Sequence, residues 1–424
     1  MLEIPFLRAN KEKAAKGLAK KLIKDPIEKI EDVLSLDDDR KAIQSRLDAI
    51  LAEANNKAKE IGQLMKTGKK EEAEEAKNLS KQLREQSGEL KTELKAGEEA
   101  LNQALYLLPN IPYDTVPEGK KAEDNEILKT VGDIPTLHDK ALPHWELIKQ
   151  YNIIDFELGN KISGAGFPIY KGKGARLQRA LINFFLDEAE AQGYSEVQVP
   201  ILVNENSCLA TGQLPDKEGQ MYFMPTDNLY AIPTGEVPIT NIYRDVIVKE
   251  EELPIKHVGF TPCFRREAGS WGADVRGLNR LHQFDKVEIV QVTRQEDSYE
   301  TLESMNTYVQ SLLEKLGLPY RVLKLCGGDM TFTSSLTYDM EVYSAAQKRW
   351  LEVSSVSNFE TYQSNRLKLR YKNKDGKKFF AHTLNGSALA LPRIVASILE
   401  NNQTENGIVV PEVLRKYTGF NIIN

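Results

Sequence analysis

Several features are scarce in this 424-residue chain, and each scarcity excludes something. There are three cysteines, Cys208, Cys263 and Cys326, far apart in sequence. They have neither the paired spacing of a zinc site nor the density of a disulfide framework. Buried thiols in a reducing cytoplasm are the reading they support. No run of eighteen apolar residues occurs, so no membrane-spanning helix is expected. Met1 to Arg8 lacks a basic start and a sustained apolar stretch, and so does not read as a secretory signal. No G-x-G-x-x-G or P-loop motif opens a helix, so a nucleotide would have to be held in another way. Nor does one sign of charge dominate. The 56 Lys and Arg stand against 62 Asp and Glu, a net −6, so any RNA surface must be a local basic patch.

The length is enough for two or three domains and a sizeable core, and 28% charged residues fit a protein with a charge-rich part. That part runs from about Ser35 to Leu108, which is rich in Ala, Glu, Lys, Leu and Gln and free of proline. Ser35, followed by Asp37 and Asp38, suits a helix start: a capping hydroxyl with acids in the first turn. Ile43, Leu47, Ile50, Ala54, Lys57, Ile61 and Leu64 recur at spacings of four and three, and so do Ala76, Leu79, Leu83, Gln86, Leu90 and Glu93. Lys66 to Lys70, with Gly68 inside, reads as a reversal between the two runs. The expected object is an antiparallel helical hairpin, each helix about 27 residues and ~40 Å long. Gly88 and Gly97 weaken the second helix by about 1 kcal/mol each, with no reason visible in the sequence. The many lysines and arginines of the hairpin read as solvated charge paired with neighbouring glutamates.

Before the arm, Ile4 to Phe6 reads as a strand and Lys11 to Ile23 as a helix. After it, Pro109, Pro112, Pro117 and the polar run to Asp124 mark a linker. The expected division is an N-terminal domain over 1–110, a linker over 111–130 and a second domain over 131–424. From His144 onward, helices (Ala175 to Glu190, Asp297 to Leu316) mix with many strands without regular alternation. That disfavours a βαβ parallel sheet and leaves a mostly antiparallel sheet flanked by helices, an α+β fold.

The segment Thr261 to Glu288 reads as a strand, a long polar loop and a second strand. Alternation would put Arg265 and Glu267 on one face of the first, and His282, Phe284, Lys286 and Glu288 on one face of the second. Such a floor could hold a base, its phosphates and a small cation; the same alternation also fits a strand pair with one solvated face. The segment resembles motif 2 of the class II aminoacyl-tRNA synthetases, in the form found in bacterial seryl-tRNA synthetases. Gly193 to Pro200 resembles motif 1, Tyr230 to Asn241 the serine-binding Thr-x-Glu element, and His382 to Arg393 motif 3. The helical arm and the joint Leu107 to Pro112 also match. Four motifs in the family's order and spacing are a specific signal covering nearly the whole chain.

The resemblance implies ATP-dependent activation of L-serine to seryl-adenylate, then transfer to the 3′ end of tRNA(Ser), with tRNA(Sec) a further candidate acceptor. It implies a coiled-coil arm that holds the tRNA, a cytoplasmic homodimer built through motif 1, and Mg²⁺ as the accompanying ion. Arg265 would bridge the α-phosphate and the serine carboxylate. Arg266, Glu267, Leu281, Phe284, Val353 and Ser354 would join it around ATP, with Glu267 accepting from the adenine amino group and Phe284 stacking on the ring. Thr234, Gly235, Glu236, Glu288, Asn385 and Ser387 would form the serine pocket together with Arg265. Glu352 and Ser355 would hold Mg²⁺. They stand three apart, so a bulge or strand end must fall between them if they are to converge. Arg393, in an apolar stretch running from Ala388 to Val395, would meet an anion at a helix start, with Pro392 as the first helical residue. Arg265, Arg393 and Glu352 are the expected catalytic set, and Arg280 is a further phosphate candidate. Gly235 stands where alanine is usual in the serine element, and Val356 where cysteine is usual in the element of Glu352 and Ser355. Val197 to Val203 reads as a buried strand. Two other classes remain open on these residues: an amino-acid-activating relative that loads a carrier protein, disfavoured by the long arm, and an inactive RNA-binding relative, disfavoured by the retained charged set.

Overall fold

The computed structural model describes residues 1–216, 218–267 and 276–424. The loop residues 268–275 of the segment between Thr261 and Glu288 lie outside the described residues. The chain divides into two compact units, one of residues 1–19 with 23–109, the other of residues 20–22 with 110–424.

The first unit opens with helices α1 (Ile4–Ala9) and α2 (Lys11–Lys20), so the strand expected at Ile4 to Phe6 is a helical turn. Pro5 sits at its start, where the missing N–H leaves nothing unpaired, and Leu7 is buried. The arm is longer than its sequence reading. Helix α3 (Pro26–Lys66) begins nine residues before Ser35, and α4 (Lys70–Tyr106) completes the hairpin. At 1.5 Å per residue they run about 60 and 55 Å. Ser35 is mid-helix, and the acid taken for a helix start is a buried ion-pair hub. Asp37 accepts from Arg8 at 3.0 Å and Arg40 at 2.9 Å, and Lys41 stands 2.6 Å away. The reversal falls where expected, over Thr67 to Lys69, with Gly68 at φ +79°. The seam of α4 differs in detail. Ala73, Ala76, Ser80, Leu83, Ser87 and Leu90 are buried, whereas Gln86 and Glu93 are exposed. The heptad stripe therefore passes through two serines, which pattern reading by apolarity skips. Gly97 lies on that stripe, where a methyl group would stand 3.7 Å from Ile43 Cδ1, while Gly88 has open space around it.

The second unit is built on a sheet of eight strands among the described residues: β1 (Glu126–Val131), β2 (Ser195–Glu196), β3 (Ile255–Phe264), β4 (Gln283–Thr293), β5 (Tyr320–Lys324), β6 (Leu336–Ser344), β7 (Arg349–Asn358) and β8 (His382–Ala390). Their order is β1-β5-β6-β7-β8-β4-β3-β2. All neighbours are antiparallel except β2 beside β3. Strand β1 occupies residues that read as linker. The central strands are buried along most of their length. One face is covered by α5 (Gly172–Ala191), α7 (Ser298–Leu316) and α8 (Leu391–Asn401), whose apolar residues share one core with Val287, Ile289, Val356 and Leu384. Val197 to Val203 is not a buried strand. Only Val203 is buried, while Gln198, Pro200 and Leu202 are exposed.

Gly88→Ala should stabilise the arm by about 0.5–1 kcal/mol, since an exposed helical glycine gives up that much to alanine. Leu83→Ala on the seam should destabilise it by about 2 kcal/mol or more. Urea unfolding followed by helical circular dichroism measures both; a neutral Leu83→Ala would refute the assigned seam.

Candidate active site

Two register shifts shape the exposed face of the sheet. Between β6 and β7, Asp339 pairs with Ser355 and Met340 with Ser354, but Glu341 pairs with Glu352, which leaves Val353 as the extra residue. This is the bulge that the three-residue spacing of Glu352 and Ser355 requires. Between β4 and β8, Lys286 pairs with Ala390 and Glu288 with Ser387, so β8 carries one extra residue there.

A pocket opens beside these shifts. Arg265, Glu267, Leu281, Phe284, Glu352, Val353, Ser354, Ser387 and Arg393 line it, as do Leu278, Asn279, Arg280 and Lys286. Arg266 and Ser355 do not. Arg266 is exposed, with its backbone N–H bonded to Gln220 O. Arg265 and Glu267 are not on the strand: β3 ends at Phe264, and Glu267 sits in the left-handed region at φ +48°. The chain's turn, rather than alternation, brings them to the pocket. The Arg265 guanidinium lies 5.3 Å from the Phe284 ring centroid, and its Nε donates to Pro233 O at 3.3 Å. Glu267 pairs with Arg280 at 2.7 Å.

Behind Phe284 along β4 lies a buried polar cluster. Glu288 has no exposed surface and forms an ion pair with Lys286, whose side chain is 7% exposed. Lys286 Nζ donates to Thr234 Oγ1 at 2.8 Å, Thr234 Oγ1 donates to Glu288 Oε2 at 3.0 Å, and Asn385 Nδ2 donates to Glu288 Oε1 at 2.9 Å. Thr234 and Glu236 reach this cluster from a turn and from the first residue of α6 (Glu236–Asn241). Glu236 accepts from Gln363 Nε2 at 2.6 Å, and Gln363 Oε1 accepts from Thr383 Oγ1 at 2.8 Å. Burial, followed by the charge of Glu288, pushes the Glu236 carboxyl up to about 7 against the pull of Gln363 and Lys286. A methyl group on Gly235 would come within 3.1 Å of Thr261 Oγ1 and 3.2 Å of Glu288 Cβ, so glycine here relieves crowding in the pocket wall.

At the other end of the pocket, Pro392 is the second residue of α8 and Arg393 the third; Ala388 to Ala390 belong to β8. Arg393 is half-buried. Its Nη1 donates to Glu352 O at 2.6 Å and stands 3.6 Å from Glu352 Oε2, while Nε donates to Asn279 O at 3.2 Å. Sequence reasoning passed over Lys286 as a site residue, and missed Gln363 and Asp339 altogether. Lys286 carried a signal, an ammonium two residues from Glu288 on one strand face. Asp339 lies across from Ser355 on the neighbouring strand, a pairing no short motif reveals. Its carboxyl is pushed well up by burial and then by Glu352, and its Oδ1 has no hydrogen-bond partner among the described residues.

Lys286→Met, close in size but uncharged, should cost about 3 kcal/mol or more of stability, because it leaves buried carboxylates without their cation. Denaturant unfolding measures this; a loss under about 1 kcal/mol would show that the ammonium does not hold the cluster.

The profile described as the tRNA synthetase class II core domain (G, H, P, S and T) matches residues 223–402, and that of the seryl-tRNA synthetase N-terminal domain matches residues 1–112. The serine–tRNA ligase of Salinibacter ruber is 47% identical over 99% of this chain and 98% of its own length. Among solved structures, the seryl-tRNA synthetase of Pyrococcus horikoshii complexed with ATP is 32% identical, with TM-score 0.90 over 100% of this chain and 99% of its own. The cytoplasmic serine–tRNA ligase of Naegleria fowleri in complex with AMP is 27% identical, with TM-score 0.85 over 100% and 99%. With an antiparallel sheet carrying the site and a relative so similar along its full length, the chain belongs to the seryl-tRNA synthetases of class II.

Proposed function

We propose that the chain charges tRNA(Ser) with L-serine in two steps on this one face of the sheet. The observation that carries the reading is the place of Arg265, whose guanidinium lies over the Phe284 ring in a pocket that Lys286, of the buried cluster, also lines. Adenine stacks on Phe284, and Glu267 accepts from its amino group. In the first step a serine carboxylate oxygen bonds to the α-phosphorus of ATP and the bond to pyrophosphate breaks. Arg265 grips both reactants, since a guanidinium can donate to a phosphate oxygen and a carboxylate oxygen together. Arg393 meets the departing phosphates. In the second step a ribose hydroxyl at the tRNA 3′ end bonds to the acyl carbon and AMP leaves. Both steps need charge neutralised and reactants aligned, and neither needs a protein nucleophile.

Glu288 and Glu236 receive the serine ammonium, with Thr234, Gly235, Asn385 and Ser387 around the amino acid. A pocket that pairs the serine hydroxyl rejects alanine, because its own polar groups would be left unsatisfied. The all-oxygen donor set of Glu352 and Ser355, with Asp339 Oδ1 unpartnered across the strand, fits Mg²⁺. When bound, that ion supplies charge neutralisation at the phosphates. We place the homodimer contact on the Gly193 to Pro200 segment, which ends the sheet. No helix among the described residues is long and apolar enough to cross a membrane; we read the protein as cytoplasmic. Arm α3–α4 holds the tRNA by shape and backbone through flexible cations, and tRNA(Sec) is a second acceptor on the same grounds.

Arg265→Ala should abolish serine-dependent ATP–pyrophosphate exchange, and near-normal exchange would refute its role. Removal of residues 40–100 should spare exchange and cripple tRNA charging; equal loss of both would make the arm structural. The ionised form of Glu236 attracts the serine ammonium, so serine binding should weaken as pH falls through about 7 and the carboxyl takes up its proton. The KM for serine should therefore rise from pH 8 to pH 6, and Glu236→Gln should raise it throughout and flatten its pH dependence. A wild-type KM constant over that range would remove Glu236 from ammonium recognition.

A further inference from the structure

One fully buried imidazole has no part in this scheme. His144 opens the short helix His144–Gln150, with no exposed side-chain surface, and lies outside the pocket. Its Nε2 accepts the backbone N–H of Leu278 at 2.8 Å, and its Nδ1 lies 2.6 Å from Glu400 Oε1. A nitrogen that accepts an N–H carries no proton, so the ring is the neutral tautomer with its hydrogen on Nδ1, donated to Glu400. Glu400 also accepts the His144 backbone N–H at 2.9 Å, Gln347 Nε2 at 3.0 Å and the Ser344 hydroxyl. Burial alone would push its carboxyl up, but the bonds from His144 and Ser344 hold it below the usual range. Gln347 in turn accepts Asn279 Nδ2 at 3.1 Å. One buried carboxylate thus fixes the turn Gly277–Asn279 twice, through His144 at Leu278 and through Gln347 at Asn279. Gly277, at φ +64°, lets the turn close on the imidazole, since a methyl group there would collide with His144 Nε2, the atom that accepts the Leu278 N–H. Leu278, Asn279 and Arg280 line the nucleotide pocket, and the Asn279 carbonyl holds Arg393 Nε.

We propose that His144 is a positioning residue for the nucleotide: through the Leu278 N–H it sets the Gly277–Asn279 turn, and through the Asn279 carbonyl it sets the Arg393 guanidinium. The serine cluster around Glu288 lies on other elements and is not reached by this chain of bonds. The proposal rests on the reading of the pocket as the ATP site.

The test is serine-dependent ATP–pyrophosphate exchange with the full-length chain, measuring KM for ATP and for serine separately. His144→Ala and His144→Asn both remove the acceptor at the Nε2 position. Each should raise the KM for ATP about tenfold, the size of one lost bond in a charge-linked network, and leave the KM for serine within about twofold. His144→Gln carries an amide oxygen near the Nε2 position and should largely restore the KM for ATP. Gly277→Ala keeps both side chains of the buried pair but sets a methyl group against the imidazole at Nε2, so it breaks the contact between ring and turn from the turn's side and should show the same ATP-selective defect; it tests the coupling if the His144 variants do not fold. Parallel loss in both KM values, an unchanged KM for ATP in Gly277→Ala, or rescue by asparagine but not glutamine would overturn the proposal. Absence of serine-dependent exchange in the unaltered chain would instead defeat the functional reading.

Discussion

The site depends on a charge imbalance held inside the protein. Glu288 has no exposed surface and Glu236 is nearly as enclosed, yet the only cation bonded into their cluster among the described residues is Lys286. Two buried carboxylates beside one ammonium is a poor arrangement for stability alone. The cluster answers it by raising the Glu236 carboxyl until it can be neutral, and by spending Thr234, Asn385 and Gln363 as donors to the oxygens. With Glu236 ionised, the cluster is short of one positive charge. On the proposed reading the serine ammonium supplies it, and the hydroxyl and amide groups around it suit a polar side chain.

On the proposed reading, the sheet takes over the work of a glycine-rich loop. A P-loop presents backbone N–H groups from one short segment. Here the parts come from several separate elements: the end of β3, the turn Gly277–Asn279, the length of β4, the bulge in β7, β8 and the start of α8. Alternation along β4 sets Phe284, Lys286 and Glu288 in a row, about 13 Å from ring to carboxylate. On the proposed reading, that row orders base, phosphate and amino acid along a single strand. The bulges then correct the register where alternation alone would turn side chains away.

What the sequence made legible follows from these elements. Residues two apart on a central strand, such as Phe284, Lys286 and Glu288, share a face whatever surrounds them, so their convergence could be read directly. So could the hairpin, because its turn is marked by Gly68 and its helices by heptad spacing. Arg265 and Glu267 were placed in the site for an incomplete reason: spacing by two holds only while the strand lasts, and β3 stops one residue before Arg265. Thr234 and Glu236 show that a turn and a helix start can also bring residues two apart together. The acids after Ser35 read locally as the first turn of a helix, but a buried Asp37 ringed by Arg8, Arg40 and Lys41 is a tertiary fact that one helix does not display.

The parts that stayed illegible share a cause: each depends on contact between residues far apart in the chain. Asp339 meets Ser355 across two strands, Gln363 reaches Glu236 over a separation of 127 residues, and His144 reaches Leu278 over 134. Local pattern carries no information about such pairs, yet they decide orientation. Arg393 illustrates the consequence. Its apolar neighbours showed that it must meet something, and a phosphate was the natural guess. The structure adds that its guanidinium is already held by the carbonyls of Glu352 and Asn279 from two different elements. A guanidinium has five donors, and two contacts to carbonyl oxygens fix its plane while leaving donors for an anion. If Arg393 meets the nucleotide as proposed, its positioning is complete beforehand, which is the condition for electrostatic stabilisation without reorganisation at the moment of reaction.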